Sequence, residues 1–150
     1  LAGDGAMQMN GINELITVAA RWRDWPGAPF VVAVLNNGDL NMVTWELRAM
    51  GGQPRFEASQ SLPDFPYADY ARQLGLAGRR VDRPEDVGPA WDEALAADRP
   101  MLLEFIADPD VPPLQPHADM KQVKAYLSAL RREGPGAVEL LRATVRQWWA

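Results

Sequence analysis

The feature that most limits this chain's fold is the unbroken apolar run Phe30-Val31-Val32-Ala33-Val34-Leu35, cut off by Asn36-Asn37-Gly38-Asp39. A short run of this kind between turn residues reads as a strand buried on both faces, the habit of a parallel sheet. Met101 to Ile106 reads as a second such strand and Arg79 to Val81 as a shorter one. Helical patterns alternate with them. Asn10 to Arg23 reads as a helix with Asn10 as N-cap and Ile12, Leu15, Ile16 and Ala19 on its buried face, and Trp25-Pro26-Gly27 ends it. Asn41 to Met50, Tyr67 to Leu74 and Pro84 to Ala97 follow, with Pro84 in a first helical turn and a Gly/Pro-rich loop over 51–66. This alternation specifies an α/β fold, an open and mainly parallel sheet flanked by helices. The stretch Asp108 to Pro116 carries four prolines and reads as an extended arm. Helices over about 119–132 and 136–149, parted by Glu133-Gly134-Pro135-Gly136, follow it, so two domains are expected, 1–110 and 111–150.

Composition narrows the function classes. Apolar residues make up 47% and charged residues 23%, as in a globular domain rather than a disordered chain or a rod. Fifteen Lys and Arg against twenty Asp and Glu leave a net charge of −5, with no basic cluster, which argues against a nucleic-acid partner. With no cysteine, there is no disulfide scaffold, cysteine-ligated zinc, iron–sulfur cluster or thiol nucleophile. This is compatible with a reducing compartment, and the cytoplasm is the expected location. No apolar run is long enough to cross a bilayer, and no secretory leader is expected from the opening residues. The chain opens Leu1-Ala2-Gly3-Asp4-Gly5, a turn with almost no strand before it. It is therefore expected to begin inside a larger protein, its sheet incomplete at the N-terminus.

Ligands of an open parallel sheet bind beyond the carboxyl ends of its strands. Two polar turns qualify here, Gly3-Asp4-Gly5-Ala6 ahead of a helix and Asn36-Asn37-Gly38-Asp39 after a strand. Asp4 and Asn37 are 33 residues apart, about a helix plus a strand, which brings both turns to one sheet edge. One offers a carboxylate; the other offers an amide oxygen and backbone carbonyls. These are hard oxygen ligands suited to magnesium or calcium. The glycines and the helix start add N–H groups that can approach a phosphate. The residues thus read as a metal-bridged diphosphate cradle.

Gly3-Asp4-Gly5 followed by Asn36-Asn37 resembles the thiamine diphosphate-binding motif of thiamine-dependent enzymes. Gly3 to Met9, Glu14-Leu15, Val32 to Asn37 and Leu40-Asn41-Met42-Val43 resemble the acetolactate synthase and pyruvate oxidase branch. So do Asp69 to Gly75 and Arg99 to Glu104. The tail, from Val111-Pro112-Pro113 through Gly134, Glu139-Leu140 and Trp148, is similar to bacterial quinone-linked pyruvate dehydrogenases. The resemblance implies that Asp4 and Asn37 ligate magnesium through their side chains and Asp39 through its main-chain carbonyl, so that the Asp39 side chain carries little information. It implies that Gly5 and Ala6 contact the diphosphate through backbone N–H groups, with Gly3 and Met7 also among the cofactor-binding residues. Gly38, Leu40 and Met42 complete the expected cofactor contacts, with Met42 and Val43 toward the substrate. It further implies decarboxylation of a 2-oxo acid such as pyruvate, with transfer of the two-carbon unit to an acceptor. The catalytic glutamate, and the flavin where a relative has one, are expected in upstream domains, with a second subunit forming a homodimer or homotetramer. By this reading the chain carries part of the cofactor-binding domain and has no turnover alone. The alternatives are a non-catalytic cofactor-binding or regulatory relative and another magnesium–phosphate binder.

Other residues have plainer readings. Glu14 suits a first helical turn through the helix dipole. His117, the only histidine, reads as a surface residue of the arm. Glu46 and Arg48 read equally as channel lining or a solvated face. Trp22, Trp45 and Trp91 are expected in cores. Trp148 and Trp149 close an amphipathic helix with Val138, Leu141 and Val145. Subunit docking explains that helix better than peripheral membrane contact.

Overall fold

The computed structural model describes residues 1–27, 30–111 and 120–148. In chain order its main elements are β1 (Ala2–Gly3), α1 (Asp4–Ala6), α2 (Glu14–Arg21), β2 (Val31–Asn36), α3 (Asn41–Glu46), α4 (Glu57–Gln60), α5 (Tyr67–Gln73), β3 (Ala77–Val81), α6 (Val87–Ala96), β4 (Met101–Ile106), α7 (Met120–Arg132) and α8 (Ala137–Trp148). Helices α1 and α3 each run on into a wider π turn, over Met7–Gly11 and Leu47–Gly51. The chain divides into two compact units, one of 1–38 and 63–107, the other of 39–62 and 108–150.

The first unit holds the sheet. Its four strands are all parallel, in the order β1-β2-β4-β3. Side chains alternate between two covered faces, as strand geometry requires. Val34 and Leu102 meet Met7, Leu15, Tyr67, Ala68 and Ala71, so the turn after α1, with α2 and α5, covers one face. Ala33, Leu103 and Phe105 meet Ala90 and Ala94 of α6 on the other. Each fully buried Val or Leu contributes about 1.5–3 kcal/mol. The apolar runs are continuous because both faces are covered.

The second unit is helical. Trp45 of α3 packs with Leu130 of α7 and Leu140 of α8, joined by Tyr126. The Trp45 and Tyr126 rings lie 5.9 Å apart. The Pro109 carbonyl accepts from Asn41 Nδ2 at 2.8 Å and Trp45 Nε1 at 3.3 Å. Arg48, buried in the π turn, pairs with Glu133 at the end of α7 and lies over the Trp45 ring.

Several expectations need correction. The first helix starts at Asp4, and Asn10 lies within the π turn rather than at an N-cap. The reason is local: Asp4 Oδ1 accepts the Gly5 N–H at 2.9 Å, so an acid already serves the helix start. Ile16 is exposed, and Leu15 alone in α2 is fully buried, with Ile12, Val18 and Ala19 against the same core. Leu35 is 42% exposed, because its register neighbour in β1 is Gly3, which brings no side chain. Trp91 is also partly exposed, stacked on Phe105 rather than enclosed. The 51–66 loop contains α4. The remaining element assignments hold to within a residue or two. His117, Trp149, most of the proline-rich arm and the Trp148 side chain lie outside the described residues.

Candidate functional site

The parallel register Ala2↔Val34 and Gly3↔Leu35 brings the end of β1 beside the end of β2. The two polar turns therefore meet. Asp4 is 3% exposed. Its Oδ2 accepts N–H groups from Asn37 at 3.0 Å and Gly38 at 2.6 Å, while Oδ1 takes Gly5. Gly38 turns the chain at φ +66, a left-handed conformation that favours glycine. One carboxylate thus fastens both turns of the motif. No ion pair of Asp4 exists among the described residues. A buried carboxylate held only by N–H donors has its charge solvated but not neutralised, which suits a bound cation.

The donor set is consistent with a hard cation. Among the described residues no three His, Cys, Asp or Glu cluster to hold a metal. A cation here would rest on one carboxylate with amide and carbonyl oxygens, leaving places for phosphate and water, which is magnesium's habit. Gly3 and Ala6 are exposed and Gly5 is buried. Met7 departs from a ligand-facing role, since its side chain is 5% exposed within the core.

The sequence reading missed two residues of this unit. Tyr67, fully buried, donates its hydroxyl to the Asp4 main-chain carbonyl at 3.2 Å and accepts from Gln8 Nε2 at 3.1 Å. Burial raises the Tyr67 pKa, and the nearby acids Asp4, Glu104 and Asp64 add to this, while Gln8 opposes it. Glu104, 1% exposed, accepts from Asn36 Nδ2 at 2.9 Å, Arg80 Nη1 at 3.2 Å and Ala68 N at 3.1 Å. The available signal was a single acid inside the apolar strand Met101–Ile106. Tyr67 left no comparable mark.

Asp39, Leu40 and Met42 belong to the second unit. The Asp39 side chain is not idle: it is buried, with Oδ1 accepting from Arg55 Nε at 3.0 Å and Oδ2 from Asn41 Nδ2 at 3.3 Å. The Leu40 N–H donates to the Gln60 carbonyl at 2.8 Å as α3 begins. Met42 and Val43 stand exposed on α3, and so does Glu46. Arg48 is not on a solvated face; its charge is spent on Glu133. No helix among the described residues is long and apolar enough to cross a membrane.

Residues 1–105 match the family described as thiamine pyrophosphate enzyme, C-terminal TPP binding domain. The acetolactate synthase of Mycobacterium leprae is 37% identical over 72% of this chain and 17% of its own. The large subunit of acetolactate synthase from Corynebacterium glutamicum is 33% identical over 72% of this chain and 17% of its own. The mitochondrial catalytic subunit of acetolactate synthase from Saccharomyces cerevisiae is 33% identical over 59% of this chain and 12% of its own. The chain spans less than a fifth of the length of these relatives.

Proposed function

This chain belongs to the C-terminal thiamine pyrophosphate-binding domains of thiamine pyrophosphate enzymes, and from that premise we propose that it anchors the cofactor's diphosphate through a magnesium ion. The observation that carries the reading is the Asp4 carboxylate, buried without an ion pair among the described residues and fastening both motif turns. Asp4 and Asn37 would ligate the metal by side chain and Asp39 by its main-chain carbonyl. Gly3, Gly5, Ala6 and Met7 would meet the diphosphate through their backbone, with Gly38, Leu40 and Met42 completing the contacts. Met7 can serve only by its backbone, because its side chain is in the core.

Bound thiamine diphosphate supplies the carbanion chemistry that releases carbon dioxide from a 2-oxo acid such as pyruvate. The chain's own part is to bind and orient. Asp4 would supply charge to the metal, and it holds the second turn against the first. The exposed apolar side chains of Met42 and Val43 suit a small apolar substrate. The protein carrying this chain then acts as an acetolactate synthase or pyruvate oxidase, in the cytoplasm, as a homodimer or homotetramer. Any flavin is held outside this chain.

The test is a calorimetric titration of thiamine diphosphate into the protein that carries this chain, with magnesium and then with chelator. Saturable binding that chelator abolishes is expected. Binding indifferent to chelator would overturn the metal bridge. Preference for a nucleotide or sugar phosphate would replace the cofactor assignment.

A further inference from the structure

We propose that the first turn of α5 is the common buttress of both cofactor-holding turns, with Tyr67 and Glu104 as positioning residues; the inference rests on the reading just given. Two consecutive residues do the work. The Tyr67 hydroxyl reaches the main-chain oxygen of Asp4, in the first turn. The Ala68 N–H holds Glu104 Oε2, and Glu104 Oε1 holds the side chain of Asn36, the residue before Asn37 in the second turn. A small displacement of α5 would thus be felt at both turns.

Burial makes these contacts more than incidental. Tyr67 is 0% exposed and Glu104 1% exposed. Glu104 interrupts a strand whose neighbours Leu103 and Phe105 are buried and apolar, where a well-packed apolar residue would serve stability as well. Its three donors come from β2, β3 and α5, so it ties the strand that ends in the second turn to β3 and α5. The fit of α5 against β3 is also close. A Cβ on Gly78 would lie 2.3 Å from the Ala68 carbonyl oxygen, so only glycine lets Ala68 sit where it does. Residues that orient ligands without touching the metal commonly change metal affinity by about 10–100-fold when removed.

The experiment titrates magnesium at saturating thiamine diphosphate into the protein that carries this chain, by calorimetry, for wild type, Tyr67→Phe and Glu104→Gln. Thermal unfolding without ligand is read in parallel. Tyr67→Phe keeps the ring and removes only the hydroxyl. Both variants are expected to weaken magnesium binding about tenfold or more. A role confined to stability would lower the unfolding temperature and leave the magnesium affinity of the folded protein unchanged, and that result overturns the proposal. If Tyr67→Phe does not fold, Glu104→Gln alone is judged by the same criterion. Wild-type protein that binds the cofactor without magnesium overturns the metal reading itself, and the buttress falls with it. Wild-type binding with unaltered variants overturns the buttress alone.

Discussion

Asp4 shows how much one buried carboxylate can organise. It accepts three backbone N–H groups, two of them from a turn thirty-odd residues away. Asp4→Ala therefore removes the clasp between the turns and, on the proposed reading, a metal ligand with it. Cofactor affinity in magnesium is expected to fall at least about a hundredfold, roughly 2.7 kcal/mol, by calorimetry; unchanged affinity would remove Asp4 from the ligand set. Gly78 makes a separate test of packing. Gly78→Ala drives a methyl group into the Ala68 carbonyl, and about 1–3 kcal/mol of lost stability is expected in urea unfolding. The meeting of the Asp4 and Asn37 turns was legible because their residue types and spacing are a chemical pattern. Tyr67 was not, since a buried tyrosine declares its hydroxyl's partner only when distant residues come together.

At the scale of elements, the second unit hinges on how α3 meets α7. The π turn carries Arg48 inward, where its side chain is 3% exposed beside a Glu133 that is 11% exposed. Arg48→Met leaves Glu133 buried without its cation and is expected to cost about 3–5 kcal/mol. The double variant Arg48→Met with Glu133→Leu should recover most of this, because buried pairs often exchange for apolar residues at little cost. A single variant as stable as wild type in urea would contradict the account. Asp110 gives this unit a pH dependence. Burial raises its carboxyl pKa; Arg48 pulls the other way and Asp108 adds a smaller push. The folded state then keeps this proton to higher pH than the unfolded chain, so stability declines as pH rises from about 3.9 through the folded value. Asp110→Asn should raise the melting temperature at pH 7, with the gap closing below about pH 4. A gap independent of pH would refute the assignment. Sequence periodicity found α3 and α7, but helical spacing alone could not show that Arg48 faces inward.

For the molecule as a whole, ligand and fold are linked by mass action. Thiamine diphosphate with magnesium at a hundred times its dissociation constant should stabilise the folded protein by about 2.7 kcal/mol, and chelator should reverse it. On the proposed reading, which gives these 150 residues the anchor and places the base elsewhere, they are expected alone to release no carbon dioxide from pyruvate above a metal-free control. Turnover above that control would refute this. The sequence by itself determined the parallel α/β sheet and the pairing of the Asp4 and Asn37 turns. Both are written in local patterns: continuous apolar runs mark strands covered on two faces, and polar turn residues follow them. Only tertiary structure decided that Asp4 fastens the second turn, that Glu104 and Tyr67 stand behind both, and that Arg48 is buried. Each of those facts depends on hydrogen bonds or ion pairs between residues far apart in the chain, and their geometry exists only after the strands have taken their register.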